Sequence, residues 1–477
     1  MRIAQGVLPF KLEVSDEDKE CLTAHAALPL VVELMRKLFS AREHKRLSKA
    51  LGYARWKTAR RHLESLVLLI VAGGDCLDDL QVLRADAGLM SLIGYELSSP
   101  SQAKDFLYRF HQAEEGSLLN EADDTRLSVT GKAKIRPEGP GLKQLLRMVD
   151  RSVETIQGMR TRTGATIDVD ATIVEANKKQ ALRAYEGTRG FQPQGAWWAE
   201  QGVWVFDQFR DGNVPAAYEA TKLLQLVFER LPCSPTHRRL RADTALYDEK
   251  ALTWAADKGG IEFAVSADMS EGLREQIEAL PNEAWRPYRS RRQHEESSEE
   301  REWAEVSFVP GWARNHKKAG TPFRYIAIRV RGRQRDLLEN DGTRWRHFAV
   351  VTNMSWDGER LLQWHREKQG TVEHANGVVK NELAAGTLPC GRFGANAAWW
   401  RINVLAHNLL EALKVAGLPQ ELRRARPKQL RFRLFNVAGR VLHTGRQLFL
   451  RISSRLPAAQ VFAKAREAIL RLSPAPG

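Results

Sequence analysis

Apolar residues recur at helical spacing through much of the first 150 positions, in VVELMRKLFS (31–40), HLESLVLLIVAGG (62–74) and QAKDFLYRFHQA (102–113). Ser99 before Pro100 is placed to cap the third of these, with proline at the first helical position. The pattern changes at Gly164. GATIDVDATIVEA alternates, with Ile167, Val169 and Ala171 opposite Asp168, Asp170 and Thr172. GAWWAE and GVWVFDQF read as two more strands, followed by a helix over 216–231 with Leu223, Leu224, Val227 and Phe228 inward. RRLRAD then predicts a strand at 240–242 with Asp243 at its carboxyl end, a helix follows over 248–258, and GGIEFAVSAD gives a further strand. This order of strands and helices predicts an α/β layer fold.

From 281 to 345 the pattern breaks. YRSRRQHEESSEERE is a charge run with no core face, so an exposed loop or hairpin is expected. WAEVSFVPG, FRYIAIRVRG and TRWRHFAVVTN predict strands with interleaved aromatics and arginines, a β-rich insertion with a basic surface, and HFAVVTN is expected to return the chain to the main sheet. A helical segment over 357–383 and a second over 396–415 follow. The domain plan expected is therefore helical and DNA-binding over 1–150, the first part of a catalytic core over 160–280, the insertion over 281–345, the second part of the core over 346–417, and a basic C-terminal region over 418–477.

Charge adds a partner. The 477 residues hold 73 Lys and Arg against 58 acids, a net +15, and a chain this basic is matched to a polyanion, nucleic acid first. The segment SAREHKRLSKALGYARWKTARRHLES (40–65) is dense in bases, but period and charge do not separate a helix-turn-helix from a helical bundle with a solvated basic face. Cys21, Cys76, Cys233 and Cys390 stand singly, which points away from a zinc knuckle or a disulfide framework. The N-terminus shows no long apolar signal segment, and the longest apolar run (66–73) is too short for a bilayer. A cytoplasmic protein with no membrane partner is expected.

Two aspartates in mid-strand need a reason, because aspartate is a poor strand former. Either the face meets solvent or it faces a cleft that holds a hard divalent cation. Cleavage of a phosphodiester by two metal ions about 4 Å apart calls for carboxylates on separate rigid elements that converge in space. Asp170 on a strand, Asp243 at a strand end and Glu373 on a helix meet that description, although 58 acids supply many such triples. Asp243 also stands where it could simply cap the next helix.

TIDVDATIVEANKKQALRAYEGTRGFQP, RADTALYD, REKQGTVEHANGVVKNEL and LPCGRFGANAAWW resemble, in that order and across most of 160–410, a DDE transposase of bacterial insertion sequences. The resemblance is to the IS4-like superfamily and most nearly its IS1380 family. It implies a ribonuclease-H-like core, a mixed sheet flanked by helices, with an insertion between the second and third acids. It implies Asp170, Asp243 and Glu373 as the catalytic, metal-binding triad, with Asp168 the rival for the first place. The hydroxyl residue two positions after Asp170 favours Asp170. It implies Mg²⁺ in a two-metal site, with Mn²⁺ as substitute. Double-stranded DNA is the implied partner, both as the terminal inverted repeats of the element and as target, bound by a homodimer in a bacterial cytoplasm at the nucleoid. The superfamily signature runs Tyr, two residues, Arg, three residues, Glu, six residues, Lys. Glu373 and Lys380 match its end, while Arg366 and Gln369 stand where Tyr and Arg belong. Arg366 or Lys368 is then expected to supply the missing positive charge to DNA, beside Lys380 on a phosphate. A non-catalytic DNA-binding relative, or a nuclease that cuts without strand transfer, remains as an alternative.

Overall fold

The computed structural model describes residues 21–119, 133–233, 235–289, 300–311, 323–331 and 345–473. Most of the expected charge run, 290–299, lies outside them. The centre is one mixed sheet. Its labelled strands are β1 (Gly164–Ala171), β2 (Gln194–Trp198), β3 (Val203–Gln208), β4 (His237–Ala242), β5 (Glu262–Ser266), β6 (Glu300–Val306), β7 (Arg324–Arg331) and β8 (Arg346–Thr352). They lie in the order β6-β7-β8-β5-β4-β1-β2-β3, and the two-residue strand Arg286–Pro287 extends the sheet beyond β6. β1, β4 and β5 run parallel, and the other pairings are antiparallel.

The described strands of the 281–345 stretch thus continue the central sheet instead of forming a layer apart. β8 brings the chain back, pairing with β5 through Val350–Ser266, Val351–Val265 and Thr352–Ala264. Alternation in a sequence fixes which face of a strand is buried, but not which strand it pairs with.

The helical layers are built from α1 (Pro29–Leu38), α2 (Ala41–Ala50), α3 (Trp56–Ala72), α4 (Pro100–Tyr108), α5 (Pro140–Met159), α6 (Ala220–Glu229), α7 (Gly358–Arg366), α8 (Lys368–Asn381), α9 (Phe393–Gly417) and α10 (Pro457–Arg471). Local chemistry sets their starts. Ser40 and Glu43 form a reciprocal cap on α2, and Ser99 and Gln102 do the same on α4 ahead of Pro100. α9 is apolar nearly all round and is buried nearly all round, against α1, α3, α4, α5, α10 and β3. Polar anchors fix its rotation. The Asn408 side chain accepts from Trp204 N (3.0 Å) and donates to Trp204 O (2.8 Å). The Arg401 guanidinium donates to the carboxylates of Asp207 (3.0 Å) and Glu138 (2.7 Å) and to the Leu142 carbonyl (2.9 Å).

The two ends of the described chain meet. Leu22–Thr23 pairs with 439–440 of the C-terminal hairpin, and α10 packs on α1 and α9. No helix among the described residues is long and apolar enough to cross a membrane.

The segment 357–383 is two helices, where the periodicity predicts one. The break falls at Glu367, and its cause is a side chain inserted into the backbone ladder: Arg241 Nη1 donates to the Trp364 carbonyl (2.7 Å).

One buried histidine makes a test of the helical layer. His44 is 2% exposed between Phe39 and Trp56, and neither ring nitrogen has a partner among the described residues. Burial, then Arg60 and Arg36, push its pKa down to about 4. The folded protein therefore holds it neutral, so its contribution to stability is complete above the unfolded pKa near 6.5 and declines as pH falls toward 4. His44→Phe should flatten the fall in melting temperature between pH 7 and pH 5 by the equivalent of about 2 kcal/mol, and unchanged slopes would show that His44 is solvated.

Candidate active site

β1 and β4 are neighbours in parallel register, with Asp168 opposite Arg241. Two residues further along each chain stand Asp170 and Asp243. The first pair is buried and the second partly exposed.

Asp168 is fully buried. Its carboxylate receives Arg241 Nε at 2.6 Å and Nη2 at 2.9 Å, a bidentate pair, and the Thr371 hydroxyl of α8 also donates to it. Asp170, the other member of the strand pair, is partly exposed and meets partners on α8. Its Oδ1 accepts from Lys368 Nζ (3.0 Å) and its Oδ2 from Asn376 Nδ2 (3.0 Å). Asp243 divides its oxygens: Oδ1 accepts from Ala245 N (3.0 Å), capping a short turn, and Oδ2 lies 3.6 Å from Lys368 Nζ. The cap expected from the sequence and the approach to the cleft are thus both present in one side chain.

Lys368, almost wholly buried at the first position of α8, is the cation between Asp170 and Asp243. Burial works against its charge, but Asp170, Asp243 and then Glu373 outweigh it, and its pKa is raised. For Asp170 burial is the larger influence and raises the carboxyl, with Lys368 opposing. Glu373 is exposed, on the rim of α8. Lys380 donates to the Ile173 carbonyl (2.6 Å) and the Thr172 hydroxyl (3.3 Å), which ties the far end of α8 to the chain leaving β1. Arg366 ends α7 beside Tyr288, where its charge bears on the phenol.

The structure therefore brings Asp170, Asp243 and Lys368 together, sets Glu373 at their edge, and sends Arg366 elsewhere. Sequence reasoning missed Arg241, Thr371 and Asn376. The signal for Arg241 was the repeat of spacing, Asp168 two before Asp170 and Arg241 two before Asp243, which means something only once the strands are known to be in register.

A hard divalent cation suits this donor set. The carboxylate oxygens are the right ligands, and an ammonium already balances two of them. Among the described residues, the one group of such side chains whose ligand atoms all lie within 4.8 Å of one another is Asp75, Cys76 and Asp79. In the cleft, Lys368 stands between the acids that would have to close further.

The sheet thus carries acids at the ends of two adjacent parallel strands, with a third on the helix packed on β1 and β2. The family model for transposase DDE domain group 1 matches residues 16–474, and the chain belongs to that family. Among solved structures the chain is similar to a piggyBac transposase synaptic complex with hairpin DNA, at a TM-score of 0.47 and 8% identity, over 93% of this chain and 80% of that one. No curated protein matches it.

Two outcomes follow from the geometry. Arg241→Met leaves a buried, uncompensated carboxylate and should cost about 3–5 kcal/mol in urea unfolding. Arg239→Met, which removes a half-exposed pair with Glu262, should cost about 1 kcal/mol or less. Lys368→Met removes the resident cation, so Mg²⁺ should raise the melting temperature of this variant by more than it raises that of the wild type. An equal rise would place the metal away from Lys368.

Proposed function

We propose that this protein binds the terminal inverted repeats of its own mobile element, cuts the phosphodiesters at the element's ends, and joins the freed ends to target DNA. The observation that carries this is the approach of Asp170 and Asp243, from adjacent parallel strands, to one cation, with Glu373 next on the same helix as that cation. The strand order β3-β2-β1-β4-β5, with β1, β4 and β5 parallel, supports a ribonuclease-H-like core.

In this reading Asp170, Asp243 and Glu373 hold Mg²⁺, or Mn²⁺ in its place. The metal, when bound, lowers the pKa of an attacking water or hydroxyl and neutralises the leaving oxygen. The rest is done by the chain. Asn376 keeps one oxygen of Asp170 oriented. Arg241 and Thr371 hold Asp168, and so the strand beneath. A cation held by Asp170 and Asp243 would take the place of the Lys368 ammonium, whose charge would then be available to a phosphate oxygen. Lys380, fixed by Ile173, contacts a phosphate near the end of the element. In the first step the water oxygen bonds to phosphorus and the bond to the 3′ oxygen breaks, leaving a 3′-OH. In the second that 3′ oxygen bonds to a target phosphorus, and the target's bond from phosphorus to its own 3′ oxygen breaks, releasing a 3′-OH on the target strand. Two ends cut together call for two protomers.

The N-terminal helices suit a DNA contact. An open hollow of 480 Å³ between α2 and α3 is lined by Lys45, Lys49, Tyr53 and Trp56 among others. Lysines hold phosphates there.

The test is cleavage of end-labelled inverted-repeat DNA in Mg²⁺. Asp243→Ala and Glu373→Ala should each lower the rate by more than about 100-fold, the upper range for residues that only support a ligand. Wild-type rates in both would overturn the assignment. Joining of the cut ends to a plasmid separates a transposase from a nuclease that stops at cleavage.

A further inference from the structure

Asp243 stands one residue past the end of its strand. The pairing of β4 with β1 ends at Arg241, and that with β5 ends at Ala242. Beyond it the chain bends into a short turn. Leu246 N donates to Asp243 O (3.2 Å), and Ala245 N donates to the Asp243 carboxylate (3.0 Å). Both bonds are local. They fix the shape of the turn without fixing where it stands relative to Asp170.

A tie from outside the turn comes from α7. His365 Nε2 lies 3.1 Å from Ala242 O, the carbonyl of the peptide that leads into Asp243. A carbonyl oxygen only accepts, so Nε2 carries the proton. One residue back on each element, Arg241 Nη1 donates to Trp364 O (2.7 Å). Strand and helix therefore clasp each other, each giving a side chain to the other's backbone. Past His365 the chain reaches Lys368, whose Nζ lies 3.0 Å from Asp170 and 3.6 Å from Asp243. The clasp thus closes a circuit of contacts that runs from Asp243 through His365 to Lys368 and across to Asp170.

A histidine bonded to a backbone carbonyl is ordinarily no more than a satisfied interior ring. Two features set this one apart. The same turn of α7 is already held by Arg241, so docking of the helix does not call for a second bond. The carbonyl that His365 takes also belongs to the peptide bond of Asp243 itself. The ring brings no charge at neutral pH. Burial pushes its pKa down to about 4 against the pull of the Ala242 bond, and Lys368 and Arg241 add to the fall. What His365 does there, it does through the direction of one N–H.

We propose that His365 is a positioning residue for Asp243. Its bond to Ala242 O holds the turn so that the carboxylates of Asp243 and Asp170 can close on one divalent cation. The inference rests on the reading of these acids as the metal ligands of a transposase.

The experiment measures Mn²⁺ binding to the full chain without DNA, by electron paramagnetic resonance of the free ion, and titrates cleavage of inverted-repeat DNA with Mn²⁺. Asp243→Asn identifies the binding that belongs to the cleft. His365→Leu should bind this cation about 10- to 100-fold more weakly, the range for partners that orient a ligand, and should need correspondingly more Mn²⁺ for half-maximal cleavage. His365→Gln, whose amide nitrogen reaches as far as Nε2, should recover most of the affinity. His365→Asn, one methylene shorter, should not, and this pair decides the matter if the leucine variant does not fold. A leucine variant that binds Mn²⁺ and cuts like the wild type overturns the proposal and leaves the transposase reading intact. A glutamine variant as weak as the asparagine one also overturns it, because the packing of the ring is then what counts. So does a wild type whose Mn²⁺ binding is the same in Asp243→Asn. A wild type that binds Mn²⁺ in a manner dependent on Asp243 and His365, yet leaves the DNA uncut, removes the transposase reading and keeps the positioning.

Discussion

The pair of Arg241 with Asp168 is the contact on which the cleft depends. It joins two parallel strands at their centre, where neither partner reaches water. A buried ion pair is weak evidence of stability, because desolvation offsets most of the Coulomb attraction. Its value here is positional. The Nη1 group of Arg241 donates to the Trp364 carbonyl and meets the Glu367 carboxylate, where α7 ends and α8 begins. Lys368, the first residue after that break, then falls between Asp170 and Asp243. One guanidinium thus sets the register of two acids and the start of the helix that carries the third.

The same logic recurs around α9. Arg401 joins that helix to β3 through Asp207 and to the chain before α5 through Glu138, with every donor used. Apolar packing alone would let an alanine-rich helix rotate or slide. Directional bonds from Arg401, Asn403 and Asn408 remove that freedom. The sheet is therefore backed by a helix with one permitted seating, and side chains on β1 and α8 inherit that precision.

Much of the fold was legible because local chemistry decided it. The alternation of Ile167, Val169 and Ala171, the cap at Ser99 and the apolar face of α6 each follow from a few neighbouring residues. Asp243 showed its place at a strand end for the same reason. The break at Glu367 was not legible, since its cause, Arg241, lies more than a hundred positions away. Nor was the merging of β6 and β7 with the main sheet, because a strand's sequence does not name its neighbour; only the return of HFAVVTN, as β8, was expected. Lys368 reads as one more base in a charged helix until β1 and β4 are side by side.

The meeting of the two ends has a consequence for how the molecule comes into being. Leu22–Thr23 waits for a hairpin made over four hundred residues later, and α1 waits for α10. During synthesis the N-terminal helices emerge first and must persist without those partners, at the long sequence separations that slow folding. A chain cut short by premature termination would leave α1 and α9 with uncovered apolar surface. The helical layer behind the acids therefore closes only once α10 has been made.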